Sequence, residues 1–346
     1  MRKAAILYMS GTGNTARAAG IIAAELGSAG WESMSVEIRK GGRAADAAFG
    51  AGLLVLCFPT LGFGMPALVR TEARRLRGAG RLAAVFSTWG GDGGAALFQA
   101  RWFLRRRGFR VRASAGAVYP FQWTQVVRPP RAEAAVQAVA EGDEEARRFA
   151  RSLTAAPPGT SFPVRAALGM VFLPVAWLYA AIGRFGLGAM YAADNNCKAC
   201  GRCVRACPAG AMVMAGVGKA RRPRWRTACQ GCNRCINICP NVQVSPVRAA
   251  VHLTVNAALV VGAVAALVWA SHAPAAQSVP ASIRTAVCIV CGALLLVYSS
   301  RLQFAALEPA LFALEGLPVL RRLIGRSWTA RFSRYVCPGF NPGFRP

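Results

Sequence analysis

"AAILYMSGTGNTARAAGIIAAEL", residues 4 to 26, is an apolar strand that runs into a loop of Ser, Gly, Thr and Asn and then into a helix with apolar positions near 3.6-residue spacing. The backbone amides of Gly11, Thr12, Gly13, Asn14 and Thr15, the hydroxyls of Ser10, Thr12 and Thr15, and the helix N-terminus converge on an anion without a lysine. No G-K-[ST] follows, which excludes a Walker loop, and the G-x-G-x-x-G spacing of a dinucleotide fold is absent. The bland alternative is an ordinary strand-loop-helix turn.

Three more stretches read as strands: "AGLLVLCFPTLGFGMP" (51 to 66), "RLAAVFSTWGGDGG" (81 to 94) and "RVRASAGAVYPFQW" (110 to 123). Helices are expected from Pro66 to Arg77 and from Ala95 to Arg107. The pattern is α/β with a doubly wound parallel sheet, in which ligands bind beyond the carboxyl ends of the strands, where the Gly-rich loops fall. Cys57 lies inside a buried strand and reads as a small apolar residue.

The second chemical signature is "DNNCKACGRCVRACPAG", residues 194 to 210. Cys197, Cys200, Cys203 and Cys207 follow C-x2-C-x2-C-x3-C-P, and Cys229, Cys232, Cys235 and Cys239 repeat it before Pro240. Three thiolates spaced by two residues wrap three corners of one iron-sulfur cube, and the fourth, past the longer gap, reaches the other cube. The expected sets are therefore Cys197, Cys200, Cys203 and Cys239 for cluster one, and Cys229, Cys232, Cys235 and Cys207 for cluster two. Structural zinc is the competing reading, but zinc favours paired C-x2-C and does not call for the third Cys or the x3-C-P ending. Disulfides would require an oxidising compartment, whereas cluster ligands suit a reducing one.

Together "YMSGTGNTARAA", "CFPTLGFGMPALV", "STWGGDGGAA" and the doubled cysteine motif resemble the fused flavodoxin/two-cluster ferredoxin family over about residues 1 to 245. The resemblance implies a flavodoxin-like sheet followed by an α+β bacterial-type two-cluster ferredoxin domain, with FMN and two 4Fe-4S clusters as cofactors. It places Ser10, Gly11, Thr12, Gly13, Asn14 and Thr15 on the FMN phosphate. It places Pro59, Thr60, Leu61, Gly62, Phe63 and Gly64 together with Thr88, Trp89, Gly90, Gly91, Asp92 and Gly93 beside the ring. Phe63 and Trp89 are the aromatic candidates to pack on the ring, or else plugs for the core.

The remaining chain is apolar and basic. Mean hydropathy is +0.34 and 54% of the 346 residues are hydrophobic, values that point to lipid. No signal peptide is legible at the start, so the N-terminus is expected in the cytoplasm. Thr154 to Pro163 reads as a linker, and Arg165 to Arg184 encloses eighteen uncharged residues interrupted by Gly169, Pro174 and Gly183. A crossing there would put the two redox modules on opposite faces, so this stretch is expected to lie in the interface or pack on the other domains. Residues 251 to 270 are long enough to span, and 285 to 300, extended to Leu307, to return, forming a transmembrane helical hairpin. The expected domains are 1-153 (FMN), 154-193 (linker and packed helix), 194-247 (clusters), 248-307 (hairpin) and 308-346 (basic tail).

Charge orients the hairpin. Its connection, 271 to 283, lacks Lys and Arg, whereas both flanks are basic, so the redox domains are expected on the cytoplasmic face of the cytoplasmic membrane. The formal net charge is +28, and after Glu145 the only acids are Asp194, Glu308 and Glu315. Such a surface suits the anionic inner leaflet. No nucleic-acid motif accompanies the charge, so nucleic acid is excluded as a partner. His252 and His272 are about 30 Å apart along one helix and do not make a haem pair. Cys288 and Cys291 read as packing, and Cys337 carries no assignment. The expected function is a membrane-anchored electron-transfer protein that relays electrons between FMN and the two clusters, to or from an unidentified redox enzyme. The alternative is a reductase acting directly on a quinone or other small acceptor.

Overall fold

In the computed structural model, residues 2–155, 168–272 and 278–342 are described, so most of the expected linker and part of the hairpin turn (273–277) lie outside them. Strands β1 (Arg2–Tyr8), β2 (Trp31–Glu37), β3 (Leu53–Pro59), β4 (Leu82–Trp89) and β5 (Arg110–Val118) form one parallel sheet in the order β2-β1-β3-β4-β5. This is the flavodoxin-like doubly wound order. β3 is buried at every position, because a central parallel strand has helices on both faces. The edge strand β2, which the sequence pattern did not single out, alternates exposed and half-buried residues over its first four positions.

Helices α1 (Asn14–Ser28) and α5 (Ala132–Thr154) cover one face of the sheet, and α3 (Ala67–Arg75) and α4 (Ala96–Arg106) the other. The core divides accordingly. Leu7, Leu54, Leu56 and Val85 pack toward Val69 and Leu104, while Ile6, Val55 and Phe86 pack toward Ile22 and Phe149. This face separation is the period-2 alternation of a strand made physical.

Gly169–Ala189 (α6) is a helix broken by a 3-10 turn at its start and a π-turn at Tyr179–Gly183. It touches the redox modules along its length. Gly169 abuts Gly94, Phe172 stacks on Phe63 at 5.2 Å, Tyr179 lies against Gly62 and Gly231, and Gly188 abuts Cys229. By length and composition it is also one of three helices apolar enough to cross a membrane.

The cysteine-rich module folds as two small antiparallel pairs, Tyr191–Ala193 with Val242–Val244 and Met212–Ala215 with Arg222–Trp225, plus the short helices α7 (Arg202–Ala206) and α8 (Arg234–Ile238). α9 (Pro246–Ser271) follows directly, with Pro246 at its first turn and Ser245 accepting from Arg248 N as its cap. α10 (Ala281–Leu314) returns. At 1.5 Å per residue the two extend about 39 Å and about 51 Å, both beyond a hydrocarbon core of about 30 Å. Their apolar side chains, such as Val261, Trp269, Ile289 and Leu294, are exposed, so water is the wrong solvent for them.

A buried ion network fixes the hairpin to the cluster module. Arg248 pairs with Glu308 and Glu315 and donates to Ala189 O at 2.9 Å, and Arg222 pairs with Glu315 at 2.9 Å and donates to Phe312 O at 2.7 Å. The two late glutamates are thus consumed internally, and the outer surface keeps its positive sign. Replacing Arg248 with Met strands the buried carboxylate of Glu308 and leaves Glu315 to Arg222 alone; it is expected to destabilise the protein by about 3–5 kcal/mol, read as a lowered midpoint of thermal unfolding in detergent.

Candidate functional site

The loop from Ser10 to Thr15 is buried throughout and lies at the carboxyl end of β1. Gly13, at φ 110°, turns the chain into α1, a conformation that glycine adopts without strain. Ser10 Oγ accepts from Gly13 N at 3.1 Å, and Thr15 Oγ1 meets Thr88 Oγ1 at 2.7 Å, joining the first loop to the end of β4. Asn14 donates to Pro120 O at 3.2 Å and accepts from the Tyr335 hydroxyl at 2.7 Å.

The loop's carbonyls are held from outside. Arg234 donates to Gly11 O at 3.0 Å and Ser10 O at 2.5 Å, and Cys337 N donates to Thr12 O at 2.8 Å. With the carbonyls engaged on one side, amides are left for the other. There Thr12 N donates to Gln122 Oε1 at 3.2 Å, and the Thr12 hydroxyl donates to the same oxygen. An amide oxygen thus sits where two donors converge, as a phosphate oxygen would, beside first-turn amides of α1 that have no partner within the helix. The donor set fits a phosphate, with Gln122 in the place of the anion.

The other two glycine loops lie at the ends of β3 and β4. Leu61 and Gly64 exchange backbone bonds at 3.0 and 3.2 Å around Gly62 and Phe63, both at positive φ. Thr60 N donates to Thr88 O at 2.8 Å, and Asp92 accepts from Gly94 N at 2.6 Å. Pro59 closes β3, Gly90 faces Phe121, and Gly91 is exposed at the tip. Of the two aromatic candidates, Phe63 is stacked on Phe172, and Trp89 lies over Gly93 and Gly116.

The eight thiols separate into two groups, and the separation crosses the motifs. Cys197, Cys200, Cys203 and Cys239 line one cavity of about 120 Å³ together with Met214, Pro223 and Asn241. Burial pushes the Cys203 thiol up to about 12, with the charges of Cys239 and Cys197 adding to it. In the second group burial pushes Cys229 up to about 12, reinforced by Cys232 and Cys207, and Cys235 is raised by burial and then by Cys229 and Cys232. Sulfurs so placed ionise only when a cation shares the charge. Among the described residues no three Cys, His, Asp or Glu gather closely enough for a single metal ion. A tetrahedral zinc set, with Zn–S of about 2.3 Å, would bring them to a point; thiols around a volume fit a cube.

The second group adjoins the nucleotide loops. A Cβ on Gly11 would lie 2.5 Å from Cys232 O, so only glycine permits the contact. Tyr179 packs between Gly62 and Gly231, its hydroxyl donating to Gln230 O at 3.1 Å, and the Gln230 side chain accepts from Leu68 N at 2.9 Å. The first group is more open, with Cys200 exposed. Gln122, Tyr179, Arg234 and the tail were not found from sequence, since the contacts that matter are to segments far away in the chain.

The tail is the least expected neighbour. From Ser327 it runs back over the redox modules: Val244 N donates to Thr329 Oγ1 at 3.1 Å, Trp328 Nε1 to Gln125 O at 3.0 Å, and Tyr335 N to Asn237 Oδ1 at 3.0 Å. It ends with Phe340 and Cys337 against Gly13. Both ends of the hairpin therefore lie on the side of the redox centres.

Residues 196–244 match the family model of the 4Fe-4S dicluster domain. No curated protein sequence matches the chain. Among solved structures, the two-electron reduced flavodoxin of Megasphaera elsdenii is 23% identical over 42% of this chain and 98% of its own, with a TM-score of 0.30. Oxidised Flavodoxin 2 from Bacillus cereus is 21% identical over 43% and 96%, with a TM-score of 0.32. Rubredoxin oxygen:oxidoreductase from Desulfovibrio gigas is 18% identical over 45% of this chain and only 38% of its own, with a TM-score of 0.31. The chain thus joins a flavodoxin-like sheet, a 4Fe-4S domain and helices apolar and long enough to cross a membrane.

The crossed grouping is testable by substitution. Cys239→Ser is expected to abolish the cluster held by the first motif, and Cys207→Ser the cluster held by the second. Iron would fall in each case from about eight to about four per chain, with two different electron paramagnetic resonance signals lost. Cys203→Ser marks the signal of the first motif and Cys235→Ser that of the second; loss of the Cys203→Ser signal in Cys207→Ser would refute the crossing.

Proposed function

We propose that this protein is a membrane-anchored relay on the cytoplasmic face, carrying electrons between FMN and two 4Fe-4S clusters and exchanging them with a separate redox protein. The observation that carries the reading is the order of the sites. The group of Cys207, Cys229, Cys232 and Cys235 meets the nucleotide loop through Cys232 O at Gly11, and the group of Cys197, Cys200, Cys203 and Cys239 lines a separate cavity with Cys200 exposed. When bound, flavin accepts two electrons and releases them singly, and a cubane moves one at a time.

The chain's own groups serve that task. Ser10 to Thr15 hold the phosphate, with Arg234 and Cys337 bracing the carbonyl side. The loops 59–64 and 88–93 form the walls of the ring site, and Phe172 and Tyr179 of α6 close them against water. Lys198, Arg202 and Arg205 present positive charge beside the outer thiols, which suits a partner with carboxylates around its own redox centre.

Anaerobic purification from membranes is expected to give about eight irons and one FMN per chain, with the flavin and iron-sulfur absorption bands superimposed. Zinc without flavin would refute the relay. A reporter at the hairpin connection, Ser278→Cys, is expected to react with an impermeant reagent from outside the cell, whereas Gly339→Cys in the tail is not. Electron exchange with an acidic ferredoxin as probe is expected to slow with rising salt, and a rate independent of salt would remove the basic docking face.

A further inference from the structure

Arg234 lies between Cys232 and Cys235, at the first position of α8, and is 1% exposed. A guanidinium buried so fully must place its N–H groups on acceptors. Nε donates to Gly11 O at 3.0 Å, one terminal nitrogen to Ala206 O at 2.8 Å, and the other to Ser10 O and to Glu37 Oε1, both at 2.5 Å. The Phe340 ring centre stands 5.2 Å from the guanidinium carbon. Ala206 precedes Cys207, the thiol that the first motif lends to the second group. One side chain thus holds the nucleotide loop, both backbone stretches of the inner cysteine group and the end of β2.

We propose that Arg234 is the positioning residue that couples the nucleotide site to cluster two, fixing the loop so that its amides face the phosphate while its charge sets the cluster's potential against Glu37. The proposal rests on the assignment of FMN and cluster two made above. A one-electron reduction adds one negative charge at the cluster, and a fixed positive charge in a poorly screened interior favours that state. Glu37 opposes it, being 16% exposed at its side chain and also paired with Arg39 at 3.0 Å. The fork geometry matters separately from the charge, because two neighbouring carbonyls are held at once.

The test uses the full chain purified anaerobically in detergent, with iron and flavin counted first. Wild-type protein lacking flavin or half the iron would reject the relay itself before any variant is compared. With both present, dithionite titration followed by electron paramagnetic resonance gives the potential of cluster two, and flavin fluorescence gives FMN dissociation. Arg234→Met is expected to lower the potential and weaken FMN binding by at least about tenfold. Arg234→Lys is expected to keep the potential near wild type and still lose FMN affinity. Glu37→Gln is expected to raise the potential. Opposite shifts in the Met and Gln variants support the coupling, because general loosening of the structure has no reason to change sign. Shifts of the same sign, or unchanged FMN affinity in both Arg234 variants, overturn it. Should Arg234→Met fail to assemble, Glu37→Gln decides, and an unmoved or lowered potential overturns the proposal.

Discussion

Each cysteine motif lends its last thiol to the other's group, and much of the molecule follows from that exchange. Because Cys207 belongs with Cys229, Cys232 and Cys235, and Cys239 with Cys197, Cys200 and Cys203, neither half of the module is complete alone. The segments must lie side by side in a fixed register, which the pairs Tyr191–Ala193 with Val242–Val244 and Met212–Ala215 with Arg222–Trp225 supply. The buried thiols resist ionisation, so the module gains its charge balance from a metal, and binding and folding are linked.

The same module is pressed onto the end of the parallel sheet. Contacts there are made at the backbone: Gly11 against Cys232 O, Gly62 and Gly231 against Tyr179. Glycine allows this approach because a Cβ would occupy the partner's place, and close approach is what a short electron path requires. α6 seals the junction. Its apolar composition resembles that of a spanning helix, yet its length is spent on Phe63, Gly62, Gly231 and Cys229.

The hairpin and tail both return to the cluster module. α9 leaves the cluster module at Pro246 and α10 returns to it through Arg248, Glu308, Glu315 and Arg222. The tail then reaches the nucleotide loop at Thr12 and Gly13. Since Glu308 and Glu315 are used inside, the surface after Glu145 is nearly all basic.

Local sequence was enough to determine the strand-loop-helix at 4–26, the glycine loops, the eight ligand-type cysteines and the two long apolar helices. In each of these, chemistry and spacing lie within one short stretch: φ-permissive glycines, thiols at fixed gaps, or enough uncharged residues to cross a bilayer. Tertiary structure alone decided the rest. The neighbours of residues 169–189, Phe63 at Phe172 and Gly62 and Gly231 at Tyr179, are a matter of the fold, and composition does not record them. Arg234 reads as one more basic residue until the fold brings Ser10, Gly11, Ala206 and Glu37 around it. Gln122 and Cys337 are over a hundred residues from the loop they contact, and no periodicity records a pairing over such a distance, because it is the closing of the chain that creates it.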